Sequence, residues 1–186
     1  MNTFLSRLNT IFAFTLTVLA ALTFLCFLST VFLDYHVRVT LKTDNIEVKN
    51  VQDFSVSNSK NDLGVLTFDV ETNILDINCS TELFNWNTKQ LFVYLTAEYE
   101  TRNNKFNQVV LWDKIILRED KSKINFHTMN TKYYFFDDGN GLKGLKNVTM
   151  YLSWNVIPTA GLLPLVTGEQ YKHLFDFPHQ YSPYQR

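Results

Sequence analysis

The chain has 186 residues, 17 Lys+Arg against 18 Asp+Glu, four His and a pI near 6.4. Hydrophobic residues make up 46 % and charged ones 19 %, which excludes a mainly disordered chain. The charge balance, with no basic stripe, excludes a dedicated nucleic-acid binder, and two cysteines exclude a disulfide scaffold or a four-Cys zinc site.

In chain order, a short polar start (1–10) carrying Arg7 leads into an apolar run. No charged residue lies between Leu8 and Leu33. The strongly apolar part, 11–33, predicts a helix about 34 Å long, enough to cross a hydrocarbon core of about 30 Å. Thr15, Thr17, Thr23, Ser29 and Thr30 interrupt it, and such side chains can bond back to the preceding turn. A cleavable signal peptide has a shorter apolar region and ends on small residues. Here the exit is Ser29-Thr30-Val31-Phe32-Leu33-Asp34. The reading is an uncleaved anchor.

Orientation is divided. Arg38, Lys42 and Lys49 follow the span closely, which by basic-residue counting puts the C-terminal side in the cytosol. Two glycosylation sequons, Asn78-Cys79-Ser80 and Asn147-Val148-Thr149, favour a lumenal domain. Large domains also translocate with little regard to flanking charge.

Residues 34–168 alternate with a period of two. Val37, Val39 and Leu41 share one face. So do Leu66, Phe68 and Val70; Leu91, Val93, Leu95 and Ala97; and Val148, Met150, Leu152, Trp154 and Val156. Further strands are predicted at 46–56, 106–118, 132–136 and 162–167. Turns are expected at Asn61-Asp62-Leu63-Gly64 and Asp137-Asp138-Gly139-Asn140-Gly141. About eight strands without intervening helices predict an all-β fold, an antiparallel β-sandwich behind one transmembrane helix. The tail, 169–186, has no period and is expected to be irregular.

Candidate chemistry is sparse. His36, His127, His173 and His179 show no paired metal-ligand spacing, and no G-x-S-x-G nucleophile motif occurs. Ser153 sits inside a regular strand pattern. The 137–141 segment departs from the calcium-loop pattern and reads as a turn. No catalytic residue, metal or cofactor is assigned. The run Tyr133-Tyr134-Phe135-Phe136 makes both faces of its segment apolar, so it is core or a partner contact, and Trp86 and Trp112 pose the same choice. These residues favour a binding or scaffolding role over catalysis.

Several stretches resemble one family. They are Met1-Asn2-Thr3 with Leu5-Ser6-Arg7, Ala20-Ala21-Leu22-Thr23-Phe24, Trp86-Asn87-Thr88-Lys89-Gln90-Leu91-Phe92 and Ala97-Glu98-Tyr99. Then come Asn107 through Ile115, Lys132 through Thr149, Ser153-Trp154-Asn155-Val156 and Pro164 through Gly168. In this order they resemble subunit 3 of the eukaryotic signal peptidase complex, a glycosylated accessory subunit. The stretch from Thr72 to Phe84 is longer than that pattern, and the tail after Gly168 does not match it. The resemblance implies a type II endoplasmic reticulum protein with a cytosolic N-terminus and a lumenal domain. It implies no protease residues in this chain. A separate serine-type peptidase subunit would be the partner, with the other complex subunits and the membrane. Asn147 matches the family's glycosylation position, and Asn78 is a second candidate. Two rival readings stay open: a cell-surface ectodomain that binds a ligand or receptor, and a hydrolase with a dispersed site.

Overall fold

A computed structural model describes residues 3–52, 60–72, 83–119 and 125–183. Its order is a helix α1 (Phe4–Thr30) and nine strands: β1 (Val39–Gln52), β2 (Lys60–Thr72), β3 (Thr88–Tyr99), β4 (Asn107–Leu117), β5 (Asn125–Asn130), β6 (Phe135–Phe136), β7 (Val148–Pro158), β8 (Leu165–Thr167) and β9 (His173–Phe175). A 3₁₀ turn, Glu169–Tyr171, precedes β9.

The helix carries the apolar run, and its best 18-residue stretch is wholly unburied by the domain. It starts before residue 11 and ends before 33, because helical hydrogen bonding continues through the polar start and stops where the chain turns into the domain. The hydroxyls of Thr15 and Thr17 donate to Ile11 O and Ala13 O, each at 2.9 Å. Thr23 and Ser29 donate to Ala20 O and Cys26 O. No hydroxyl among these four therefore needs water, which suits a helix in lipid.

The strands form two antiparallel sheets. One has β2 between β1 and β5, with β6 also on β2. The other runs β4-β3-β7-β8, with β9 on the opposite end of β7. The inward residues of both sheets make one core: Val39, Leu41, Phe68 and Val70 from the first, Leu91, Val93, Leu95, Met150, Leu152 and Trp154 from the second. Edge-on packing of Phe68 against Trp112 at 5.9 Å joins the layers. The all-β fold behind one apolar helix is therefore as expected.

Several local expectations change. The alternating segments predicted on either side of residue 45 are one strand. Its register shifts between Asp44 and Glu47, and Asn45 takes φ 51° there. The Asn61–Gly64 segment is not a turn but the start of β2. Gly64 is required because a Cβ would lie 2.9 Å from the Phe177 ring. Of 132–136 only Phe135–Phe136 pairs, and the longer strand is β5, whose Asn-Phe-His-Thr-Met-Asn shows no period of two because a register shift beside Thr128 brings Phe126 and Met129 to one inward face. In the described part of the tail, 169–183, one stretch is regular and the rest is irregular but docked. Its strand β9 extends the second sheet, Phe175 and Phe177 are buried, and Ser182 N donates to Val48 O. No period announces this docking because only three residues pair.

Candidate functional site

The strand directions give the domain two distinct ends. Strand β3 begins at Thr88 beside the helix exit and ends at Tyr99, about 36 Å away at the usual strand rise.

At the helix end, Asn87 is buried and joins three pieces of chain. Its amide donates to Thr30 Oγ1 (3.1 Å) and Ala160 O (2.8 Å), and its oxygen accepts from Ala160 N (3.1 Å). Asn85 accepts from Asn87 N, Thr88 N and the Thr88 hydroxyl, holding the turn into β3. The Tyr35 hydroxyl donates to Thr30 O, and Trp154 Nε1 donates to Tyr35 O. The anchor and sandwich are thus connected through hydrogen-bonded neutral side chains rather than through a bare linker.

At the far end, Asp62 is buried. It accepts from Leu142 N (3.0 Å), Lys143 N (3.2 Å) and Asn50 Nδ2 (3.1 Å). Asp137 accepts from Asp62 N and Gly141 N. Burial raises the Asp138 carboxyl, but hydrogen bonds from Asn140, Thr101 and Asn104 outweigh that and hold it below its ordinary range. The Tyr99 phenol is pushed up to about 12, by burial first and then by the charges of Asp138 and Asp137. The 137–141 segment is a turn, with φ 92° at Gly139 and 81° at Gly141, and its carboxylates are occupied by backbone N–H groups.

The histidines are dispersed. His36 bonds Asp34, His173 Nε2 lies 2.9 Å from Thr43 Oγ1, and the His179 ring sits against Gly144. Burial holds His173 below the ordinary histidine range. Among the described residues, no three His, Cys, Asp or Glu side chains converge as a metal site. Ser153 lies in β7, buried, with no partner for its hydroxyl. It has no hydrogen-bonded base beside it, as a nucleophile requires.

The aromatic candidates divide. Phe135 is fully buried, with rings of Tyr99 and Phe177 each at 5.4 Å. Trp112 is buried between Phe68 and Phe126. Burial removes both from the exposed set. Tyr134 is 76 % exposed and packs on the half-exposed Phe136 at 5.7 Å. Tyr133 is half-exposed, and its hydroxyl donates to Asp113 Oδ1 at 2.8 Å. The Lys132 ammonium and that hydroxyl hold the Asp113 carboxyl below its ordinary range. Trp86 is 61 % exposed beside the Asn87 junction. Asn147 is exposed at the start of β7, in the end away from the helix. It takes φ 58°, a left-handed conformation asparagine tolerates, and its N–H donates to Asp176 Oδ1. Asn78 and Cys79 lie outside the described residues.

A broader surface emerges on the outer face of the second sheet. Phe92 stacks on Tyr94 at 5.6 Å, and their register partners on β4 are Ile115 and Asp113. Val110 and Ile115 are exposed there. The Thr96 and Ser153 hydroxyls on the same face are buried and have no partner. The Tyr133–Asp113 bond continues this surface past β4. Alternation along 91–98 exposes the pattern in the sequence. It does not show that β4 adds aliphatic groups to the same face.

A family model for signal peptidase subunits matches residues 1–180. The chain is 59 % identical over 182 residues to signal peptidase complex subunit 3 of Drosophila melanogaster, covering 98 % of each chain. It is 55 % identical to the Homo sapiens protein of the same name, covering 98 % of this chain and 97 % of that one. A Mus musculus protein, adipocyte-related X-chromosome expressed sequence 1, is 53 % identical over 168 residues, 90 % of each. On the strength of the 1–180 match and these identities, the chain belongs to the signal peptidase subunit family.

Proposed function

We propose that the chain is a non-catalytic accessory subunit of the endoplasmic reticulum signal peptidase complex. It supports the catalytic, serine-type subunit while signal peptides are removed from nascent secretory and membrane proteins. The observation that carries this reading is the pairing of a family match over residues 1–180 with a sandwich whose candidate catalytic side chains are dispersed. A cleavage site must be held within fractions of an ångström of its nucleophile. A stiff β-domain fixed to its own anchor can provide such support without touching the substrate.

The same reading places the N-terminus in the cytosol and the domain in the lumen. The exposed Asn147 sequon at the end away from the helix supports it, because transfer of glycan occurs on the lumenal side. The outer face of the second sheet is assigned to the catalytic subunit. It offers stacked aromatics, exposed Val110 and Ile115, and at its rim Tyr133, bonded to Asp113 of β4.

The test is a gentle-detergent pull-down of the full-length chain, with the eluate assayed for signal-peptide cleavage. Co-purification of a serine-type peptidase together with cleavage is expected, and Ile115→Arg is expected to lose both. An eluate without a peptidase, with the chain at the cell surface, would replace this reading with the ectodomain one.

A further inference from the structure

The helix does not simply end where the domain begins. A segment of the domain runs back along its last turn. Asn87 holds Ala160 by two hydrogen bonds and Thr30 by a third. Beyond that clamp, Gly161 passes so close to Phe27 that an added Cβ would lie 3.0 Å from the ring. Phe27 is three residues inside the helix C-terminus. The chain at 160–163 is therefore level with the final helical turn, not beyond it. The adjacent Leu162 and Leu163 are 71 % and 60 % exposed, and Leu165 is also exposed. Between loop and helix lies a cleft of about 280 Å³ lined by Phe27, Val31, Leu33, Leu162, Leu163 and Pro164 among others.

If α1 spans a bilayer, as read above, bulk water cannot be the surroundings of side chains at this depth. The residues fit the other medium. From Thr159 to Pro164 the loop has no charged side chain, Thr159 N is bonded to Asn87 O, and Pro164 has no N–H to satisfy. Those bonded groups tolerate a low-dielectric setting, and the N–H groups of 161–163 are left to the hydrated headgroups, so the loop backbone sits at the interface and its side chains reach inward. Trp86, one residue from the clamp, is exposed, and the Arg118 guanidinium donates to Asn85 O and Trp86 O. An indole and a cation beside an apolar tip are the residue types of the lipid–water interface.

We infer that the 159–165 loop is a second membrane contact. Leu162 and Leu163 enter the leaflet on the domain's side of the bilayer, and acyl chains fill the cleft against Phe27. The helix and the loop together then hold the sandwich at a fixed tilt and height, which a single anchor with a flexible exit could not do. The inference rests on the membrane-spanning reading of α1 but not on the identity of the partner.

The test uses the complete complex in phosphatidylcholine nanodiscs, with Cys26 and Cys79 of this chain replaced by serine. Single cysteines carrying an environment-sensitive fluorophore are placed at Leu163, at Leu22 within the helix and at Lys105 at the far end. Doxyl-labelled phosphatidylcholine is the lipid quencher and iodide the aqueous one. Leu163→Cys is expected to be quenched at least twofold by a doxyl group near the headgroup and to resist iodide. Lys105→Cys is expected to behave the opposite way. Iodide quenching at Leu163, or no quenching by either agent because protein covers it, overturns the inference. Leu22 reports separately: if it escapes doxyl quenching, the span itself is wrong.

Discussion

The two ends of the sandwich solve the same problem with different chemistry. Each must satisfy backbone groups where a loop folds under the sheets. The helix end does so with neutral groups, Asn85, Asn87, Thr88 and Thr30, around the clamp, and with the Arg118 guanidinium on the carbonyls of Asn85, Trp86 and Thr88. The far end uses carboxylates: Asp62, Asp137 and Asp138. A charge beside lipid loses its hydration and has little to replace it. At the far end, about 36 Å along β3, water supplies that hydration, and an ionised acceptor makes stronger bonds than an amide. On the membrane-spanning reading of α1, the buried clamp is neutral where lipid is near and the buried acceptor Asp62 is a carboxylate where water is near.

Exchanging the two solutions breaks the comparison most sharply. Asn87→Asp removes the donors to Thr30 and Ala160 O and buries a charge at the helix exit. It is expected to destabilise the full-length protein by about 4 kcal/mol, read by thermal unfolding in nanodiscs. The loss should shrink on acidification, as the carboxyl takes up a proton and becomes neutral. Asp62→Ala at the opposite end orphans Leu142 N and Lys143 N and frees Asn50. About 3 kcal/mol is expected, with Asp62→Asn recovering roughly half, because one oxygen still accepts. Equal tolerance of Asp at both ends would show that environment does not set the choice.

Smaller effects sharpen the picture. Gly144 has φ 69°, and a Cβ there would lie 2.5 Å from His179 Nδ1. Gly144→Ala should therefore cost about 1–2 kcal/mol from the left-handed backbone, with His179 swinging aside. The smallest effect is on pH. Burial lowers the folded-state pKa of His173 below its unfolded value, so its contribution is complete above about pH 6.5 and is lost as pH falls below that. Because the ring is partly solvated, less than about 1 kcal/mol is at stake. His173→Gln should remove that part of the pH dependence, measured as Tm between pH 7.5 and 5.5.

Most of the sandwich was legible because burying one sheet face imposes a period of two, as along Leu91–Ala97 and Val148–Val156. What escaped was set by distant contacts. Gly64 reads as a turn residue, yet its reason is Phe177, more than a hundred positions later. Phe175 and Phe177 carry no pattern of their own because three paired residues are too few to show one. The candidate surfaces were half legible. Alternation marks Phe92 and Tyr94 as outward, and an aromatic run draws attention to 133–136. That Phe135 turns in while Tyr134 and Phe136 stay out depends on the β2 pairing. Leu162 and Leu163 read as the opening of a strand, and only the Asn87 clamp and the approach of Gly161 to Phe27 show that they lie beside the helix.

The central claim is that this chain supports cleavage without supplying a reacting group. The direct measurement is signal-peptide cleavage by the complex carrying this chain with His36, His127, His173 and His179 all replaced by Gln and Ser153 by Ala. Cleavage within about twofold of the unaltered complex is predicted, since a general base contributes at least about a hundredfold where one acts. Loss of cleavage a hundredfold or more, in a complex that still assembles with the proposed serine-type subunit, would contradict the account.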